Sequence, residues 1–268
     1  MGAGRDQSSP TKGVDLDVTS KGPAKVVMEP DMTDHPVVTL DEWLAARRRL
    51  LAEEKELTRL RDQLSRERRA MPWLKIGKDY RFDGPEGQNL ALGDLFGGRR
   101  QLIVWHFMFA PGWDKPCKSC SFWADGYNGV TAHLEARDTR LVAVSRAPRE
   151  KLEAAAKRMG WTFPWYSSGD GAFNYDFDVS FLPEFTAGEG AVRYNFEAIE
   201  PRMTDLPGIS AFVKEPDGAI YRTYSAYARG LDALNPAYQL LDITALGRHE
   251  DDLPSPMAWV RLHDEYAR

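Results

Sequence analysis

Gln101-Leu102-Ile103-Val104-Trp105-His106-Phe107-Met108-Phe109 is a nearly continuous apolar run. It leads through Ala110-Pro111-Gly112-Trp113-Asp114-Lys115-Pro116 into Cys117-Lys118-Ser119-Cys120. A run with so little polar alternation is expected of a central strand covered on both faces. Residues 121–137 have helical length, 141–144 read as strand, 150–159 as a strong helix and 163–166 as strand. Strand, dithiol, helix, strand, helix, in that order, predicts a parallel sheet layered with helices, an α/β fold.

On the N-terminal side, residues 73–104 hold short apolar segments separated by Asp83-Gly84-Pro85-Glu86-Gly87, which predicts a hairpin. Residues 92–96 suit a helical turn before Gly97-Gly98. On the C-terminal side, 209–214 and 219–224 form strands joined at Glu215-Pro216-Asp217-Gly218. Asp176 and Asp178 alternate with Tyr175, Phe177, Val179 and Phe181, the pattern of a half-buried strand. His249-Glu250-Asp251-Asp252 reads as a solvated loop, and Trp259 as a side chain docking on the core.

Thr39-Leu40-Asp41-Glu42 is a capping box that opens a helix, which Pro72 closes. Trp43, Leu50, Leu57 and Leu64 recur every seven residues along it, a seam that calls for cover from the chain's own domain or from a second protomer. Glutamates interleave with its arginines, which favours a solvated face over a nucleic-acid contact. The domain plan is therefore a disordered tail (1–36), a helical arm (37–72), a main domain (73–248) with an insertion at 167–205, and a C-terminal extension (249–268) packing on the core.

The 268 residues carry 35 Lys+Arg against 40 Asp+Glu, which argues against nucleic-acid or anionic-membrane partners. No apolar segment suits a signal peptide or a membrane span, so a cytoplasmic location is expected. Two cysteines cannot staple a chain of this size, and with only His106 and His133 nearby they do not complete a zinc site; no metal or cofactor is expected.

Two cysteines three residues apart, where a strand feeds a helix, share one turn. The first meets the free N–H groups and dipole of the helix N-terminus, which stabilise a thiolate. Cys117 is the expected nucleophile and Cys120, one turn deeper, the resolving thiol, with Lys118 adding positive charge. The expected activity is thiol–disulfide exchange with a protein or small-molecule disulfide, followed by re-reduction by an external thiol.

Several blocks resemble a bacterial family catalogued as domain of unknown function 899: Trp105-His106-Phe107-Met108-Phe109, Cys117-Lys118-Ser119-Cys120-Ser121-Phe122-Trp123-Ala124-Asp125, Val144-Ser145-Arg146-Ala147-Pro148, Met159-Gly160-Trp161-Thr162-Phe163-Pro164-Trp165, Phe173-Asn174-Tyr175-Asp176-Phe177 and Pro256-Met257-Ala258-Trp259-Val260. Residues 76–105 are similar to the opening of redoxin and peroxiredoxin-like proteins. The resemblance implies a thioredoxin-like three-layer α/β/α sandwich preceded by the long N-terminal helix. Peroxiredoxins, however, carry Pro-x-x-x-Thr-x-x-Cys. Counting back from Cys120 meets Cys117 and Trp113; from Cys117, Asp114 and Ala110. A thiol peroxidase is thus disfavoured, and a redox-inactive thioredoxin-like binding module is the other alternative. Redox thioredoxins place a cis-proline before the strand facing the dithiol, and the matching residue is Pro207. His106 is a base near Cys120, a charge tuning the pair, or a core histidine. Arg146 serves either an anionic substrate or thiolate, or a surface salt bridge. Trp113, Trp123, Trp161 and Trp165 either ring the site or simply pack, and Tyr224, Tyr227 and Arg229 are candidates for its far side.

Overall fold

A computed structural model describes residues 35–267; the 1–36 tail expected from the sequence lies almost wholly outside the described residues. The chain divides into two compact units, 1–43 and 44–268. In the first, the capping box forms: the Glu42 carboxylate accepts from the Thr39 N–H at 2.9 Å and from its hydroxyl at 2.7 Å. The helix it opens, α1 (Leu40–Ala70), has no buried residue. Leu50 and Leu57 are about half exposed, so the described residues leave the seam uncovered.

The second unit is built on an eight-stranded sheet. Its strands are β1 (Leu74–Lys75), β2 (Arg81–Asp83), β3 (Asn89–Ala91), β4 (Gln101–His106), β5 (Thr139–Ser145), β6 (Trp165–Ser167), β9 (Gly208–Lys214) and β10 (Ile220–Tyr227), in the spatial order β1-β10-β9-β4-β5-β6-β2-β3. β4, β5 and β6 run parallel, while β9 and β10 form an antiparallel hairpin against β4. The order β10-β9-β4-β5, with the dithiol following β4, is the thioredoxin-like arrangement. The β2–β3 hairpin pairs across the predicted Gly/Pro turn, and a 3₁₀ turn (Asp94–Phe96) precedes Gly97 and Gly98, both at positive φ.

The expected helix after the cysteines is two: α2 (Lys118–Tyr127) and α3 (Thr131–Glu135), broken at Asn128-Gly129. α4 (Arg149–Met159) follows β5. The predicted strand around Asp176 is instead a helical turn, α5 (Phe173–Asp176), ending with Asp178 at φ +57°. Its aspartates are held by Lys78, Tyr80 and Arg193 rather than by a strand ladder. α6 (Pro183–Thr186) and the hairpin β7–β8 (Val192–Tyr194, Glu197–Ile199) follow before β9. After β10 come a 3₁₀ helix (Ala228–Leu234) and α7 (Pro236–Leu241).

Both faces of the central strands are buried, which explains the unbroken apolar run. Trp105, Phe107, Leu141, Ala143 and Trp165 join α2 and α4 on one side. Leu102, Val104, Val142, Val144 and Tyr166 meet the 3₁₀ turn, Phe173 and Phe177 on the other. Among the described residues no helix is long and apolar enough to cross a membrane.

Candidate functional site

The end of β4 aims the loop of residues 110–116 and turns it directly into α2. The Cys117 N–H donates to the Met108 carbonyl at 3.1 Å, anchoring the turn to the strand exit. The Lys151 ammonium, from α4, donates to the carbonyls of Pro111 and Trp113, each at 2.9 Å, and fixes the loop from below. Trp113 itself is half-buried against the core face that holds α2.

Cys117 caps α2 in a non-helical conformation, and its carbonyl accepts from the Ser121 N–H at 2.9 Å. Cys117 is half-buried and Cys120 is 2% exposed; both are free thiols. Their acidities diverge for a physical reason. The Cys120 thiol donates toward Cys117, the Cys120 and Ser119 backbone N–H groups and the Ser119 hydroxyl add to it, and together they outweigh desolvation. The Cys117 thiol is lowered from 9.0 to about 7. Burial pushes Cys120 well above 9.0, and the neighbouring Cys117 adds to the rise. The Met108 N–H, 3.5 Å from Cys120 Sγ, is a weak opposing donor.

Lys118 is half-buried, and its ammonium donates to the Ala258 carbonyl at 3.3 Å. Burial, then Arg261, lowers its pKa, against a smaller opposing pull from Cys117. The chain thus ties the expected tuning charge to its C-terminal extension.

His106 lies across the sheet from the dithiol. Alternation along β4 puts Trp105 on the α2 side and His106 among Phe173 and Phe177, at centroid distances of 5.6 and 5.4 Å. Its Nε2 lies 2.8 Å from the Ser210 hydroxyl, its Nδ1 has no partner among the described residues, and burial drives its pKa down to about 3. It is a neutral core histidine, and the role of a base near Cys120 is withdrawn. Tyr227 is likewise on that far face, with its hydroxyl donating to the Phe177 carbonyl.

Arg146 is buried, not at the surface: it pairs with Asp205 at 2.7 Å, both side chains being less than 10% exposed, and its Nη1 donates to the Tyr175 hydroxyl at 3.0 Å. Asp205 also accepts from the Ser180 hydroxyl and contributes to raising Cys120. Pro207 sits just before β9, as expected, and its carbonyl accepts from the Tyr194 hydroxyl at 2.8 Å. No peptide bond among the described residues is cis, so Pro207 is trans.

Pro207 and Cys120 share the walls of a pocket of about 360 Å³ with Trp105, Met108, Trp123 and Leu231. Arg229 stands at it; Trp161 and Trp165 are core residues packed on Phe107. The C-terminal extension closes the pocket through Pro256 and Met257. Glu250, expected to be solvated, holds that extension: one carboxylate oxygen accepts from the Tyr238 hydroxyl (2.8 Å), the Met257 N–H (3.0 Å) and the Trp259 indole N–H (2.6 Å). The sequence signalled the two sulfurs but not Ser119, Asp205, Leu231 or Glu250, whose roles rest on partners that only the folded chain brings together or on one local hydroxyl. Among the described residues no group of three or more His, Cys, Asp or Glu is placed to hold a metal ion.

Fold and site together define a thioredoxin-like protein with a dithiol on the opening turn of the helix that follows its central strand. The chain belongs to the family described as "Bacterial protein of unknown function (DUF899)", which matches residues 32–266. No curated protein matches the sequence. Among solved structures it is similar to peroxidoxin BcpB from Mycobacterium tuberculosis, at 13% identity over 63% of this chain and 98% of that one, with a TM-score of 0.39. It is also similar to peroxiredoxin Q from Xanthomonas campestris, at 16% identity over 60% of this chain and 89% of that one, with a TM-score of 0.38.

Proposed function

We propose that this protein is a thiol–disulfide oxidoreductase in which Cys117 attacks and Cys120 resolves. The observation that carries the reading is the divergence of the two thiols: one partly buried with its pKa lowered to about 7, the other fully buried with its pKa raised. At neutral pH a large fraction of Cys117 is thiolate, the nucleophilic form, while Cys120 keeps its proton until needed.

The Cys117 thiolate attacks one sulfur of a disulfide RS–SR′. That S–S bond breaks, R′S⁻ leaves with the electron pair, and Cys117 is joined to SR. The Cys117 charge is then gone, and with it one of the causes that raise Cys120. Cys120 gives its proton, directly or through water, to the departed R′S⁻ and attacks the Cys117 sulfur; the Cys117–SR bond breaks, RS⁻ leaves with its electron pair and the Cys117–Cys120 disulfide forms. Two electrons have passed from the dithiol to the substrate, and an external thiol returns them.

Redox titration of the protein against glutathione, read by thiol alkylation and mass, is expected to show a reversible two-electron transition. The Cys120→Ala variant is expected to accumulate the mixed disulfide at Cys117. Absence of both would leave a thioredoxin-like scaffold that binds without turnover. Rapid peroxide-dependent sulfenic acid at Cys117, with no exchange, would move the assignment to thiol peroxidase.

A further inference from the structure

We propose that the pocket beside Cys120 takes the apolar arm of a small, uncharged disulfide; this rests on the exchange reading above and names its substrate class. The pocket adjoins the dithiol: the resolving Cys120 and Ser119 form part of its wall, and Cys117 precedes them on the same opening turn of α2. Trp105, Met108, Trp123, Leu231, Tyr238 and Met257 give it a hydrocarbon and aromatic floor, with Arg229, Asp232, Arg248 and Glu250 as its charged residues. An engineered apolar cavity of roughly 150 Å³ accommodates a benzene, so about 360 Å³ holds one substituted ring with its linker.

The walls are fixed before any ligand arrives. The Trp123 indole N–H donates to the Leu231 carbonyl at 2.9 Å, its ring stacks on Trp105 at 6.4 Å, and Tyr238 meets it edge-on at 5.9 Å. A preformed apolar pocket spends little of its binding energy on ordering side chains.

Charges at the rim are already paired within the chain, which disfavours an ionic group as the thing recognised. Arg248 pairs with Asp232 at 3.0 Å and with Asp242 at 2.7 Å, Arg229 pairs with Asp232 at 3.1 Å, and Glu250 accepts its three donors from the chain. Two cations and two anions line the pocket, so the field there favours neither sign. A charged disulfide would therefore be desolvated without compensation, whereas a benzyl or comparable arm is desolvated at a gain.

Two measurements test this separately from the exchange chemistry. The first is binding of benzyl methyl sulfide, an unreactive mimic of the arm, to the Cys117→Ser protein, followed by the Trp123 indole N–H signal. Saturable perturbation is expected, with its loss in the Cys117→Ser/Met257→Trp protein, where the added ring occupies the pocket. The second compares kcat/KM of the native protein for dibenzyl disulfide and 2-hydroxyethyl disulfide, alkyl disulfides of similar thiol acidity. A preference of about 30-fold or more for the benzyl compound is expected from the area the ring buries. In Met257→Trp that ratio is expected to fall to within about 3-fold. No thioether binding, or equal use of the two disulfides, overturns the pocket assignment while leaving exchange standing. Thioether binding with neither disulfide reduced overturns the exchange reading and the substrate class with it.

Discussion

A thiol is a useful nucleophile at neutral pH only where its anion is held better than its neutral form. At Cys117 the holding groups are local: the neighbouring thiol, two N–H groups at the start of α2 and the Ser119 hydroxyl. Iodoacetamide alkylation of the reduced protein is therefore expected to reach half its limiting rate near pH 7. In Cys120→Ala, which removes the largest stabilising donor, the midpoint is expected to move up toward 9.0; an unmoved midpoint would assign the effect to the helix terminus alone. The same shifts set how the stability of the reduced protein varies with pH. Cys117 has a folded pKa below its ordinary value, so its contribution is complete above 9.0 and is lost as pH falls through about 7. Cys120 has the opposite sign: its contribution is complete below 9.0 and is lost as the pH rises above that. Urea melts of the reduced protein should thus show added stability growing between pH 7 and 9 and declining beyond, a profile absent from Cys117→Ser/Cys120→Ala.

At the scale of elements, the two-residue period of β4 assigns the chemistry to one face. Trp105 and Phe107 lean toward α2, while Val104 and His106 lean toward Phe173 and Phe177. The sequence showed a strand buried on both sides and thereby the α/β class, the placement of the cysteines and the hairpin β9–β10. It did not show which way His106 points, because a run apolar on both faces carries no alternation to read. Nor did it show that Arg146 is buried, since Asp205 lies 59 residues further along the chain. That pair ties the exit of β5 to the segment entering β9, the two elements that flank β4. Breaking a buried pair strands a charge, so Asp205→Asn is expected to cost about 3–5 kcal/mol in urea unfolding. Replacing both partners by apolar residues, Arg146→Met with Asp205→Leu, should recover most of that loss. A small cost for Asp205→Asn would mean that Tyr175 and nearby polar groups suffice for Arg146.

Over the whole molecule, residues 249–267 wall the candidate site that the central strand begins. Lys115 and Arg158 reach Glu265 at 2.7 and 2.9 Å, Arg158 also grips Asp264 at 2.7 Å, and His263 meets Asp125 at 2.8 Å. These are partly exposed pairs, each worth little alone. The anchoring contact is Glu250, whose single oxygen satisfies Tyr238, Met257 and Trp259 at once. Charge-assisted hydrogen bonds are about twice as strong as neutral ones, and removal of the acceptor leaves half-buried donors unmet. Glu250→Ala is therefore expected to destabilise the protein by about 2–3 kcal/mol. Because those contacts lie in the extension and not in the sheet, the loss should fall unevenly. Limited proteolysis should cut first within residues 251–258, and hydrogen exchange should quicken there and at the Lys118 end of α2 while β4 and β5 keep their protection. Uniform loosening of the sheet would instead mean that the extension is an integral part of the core rather than a strap fastened over the dithiol helix.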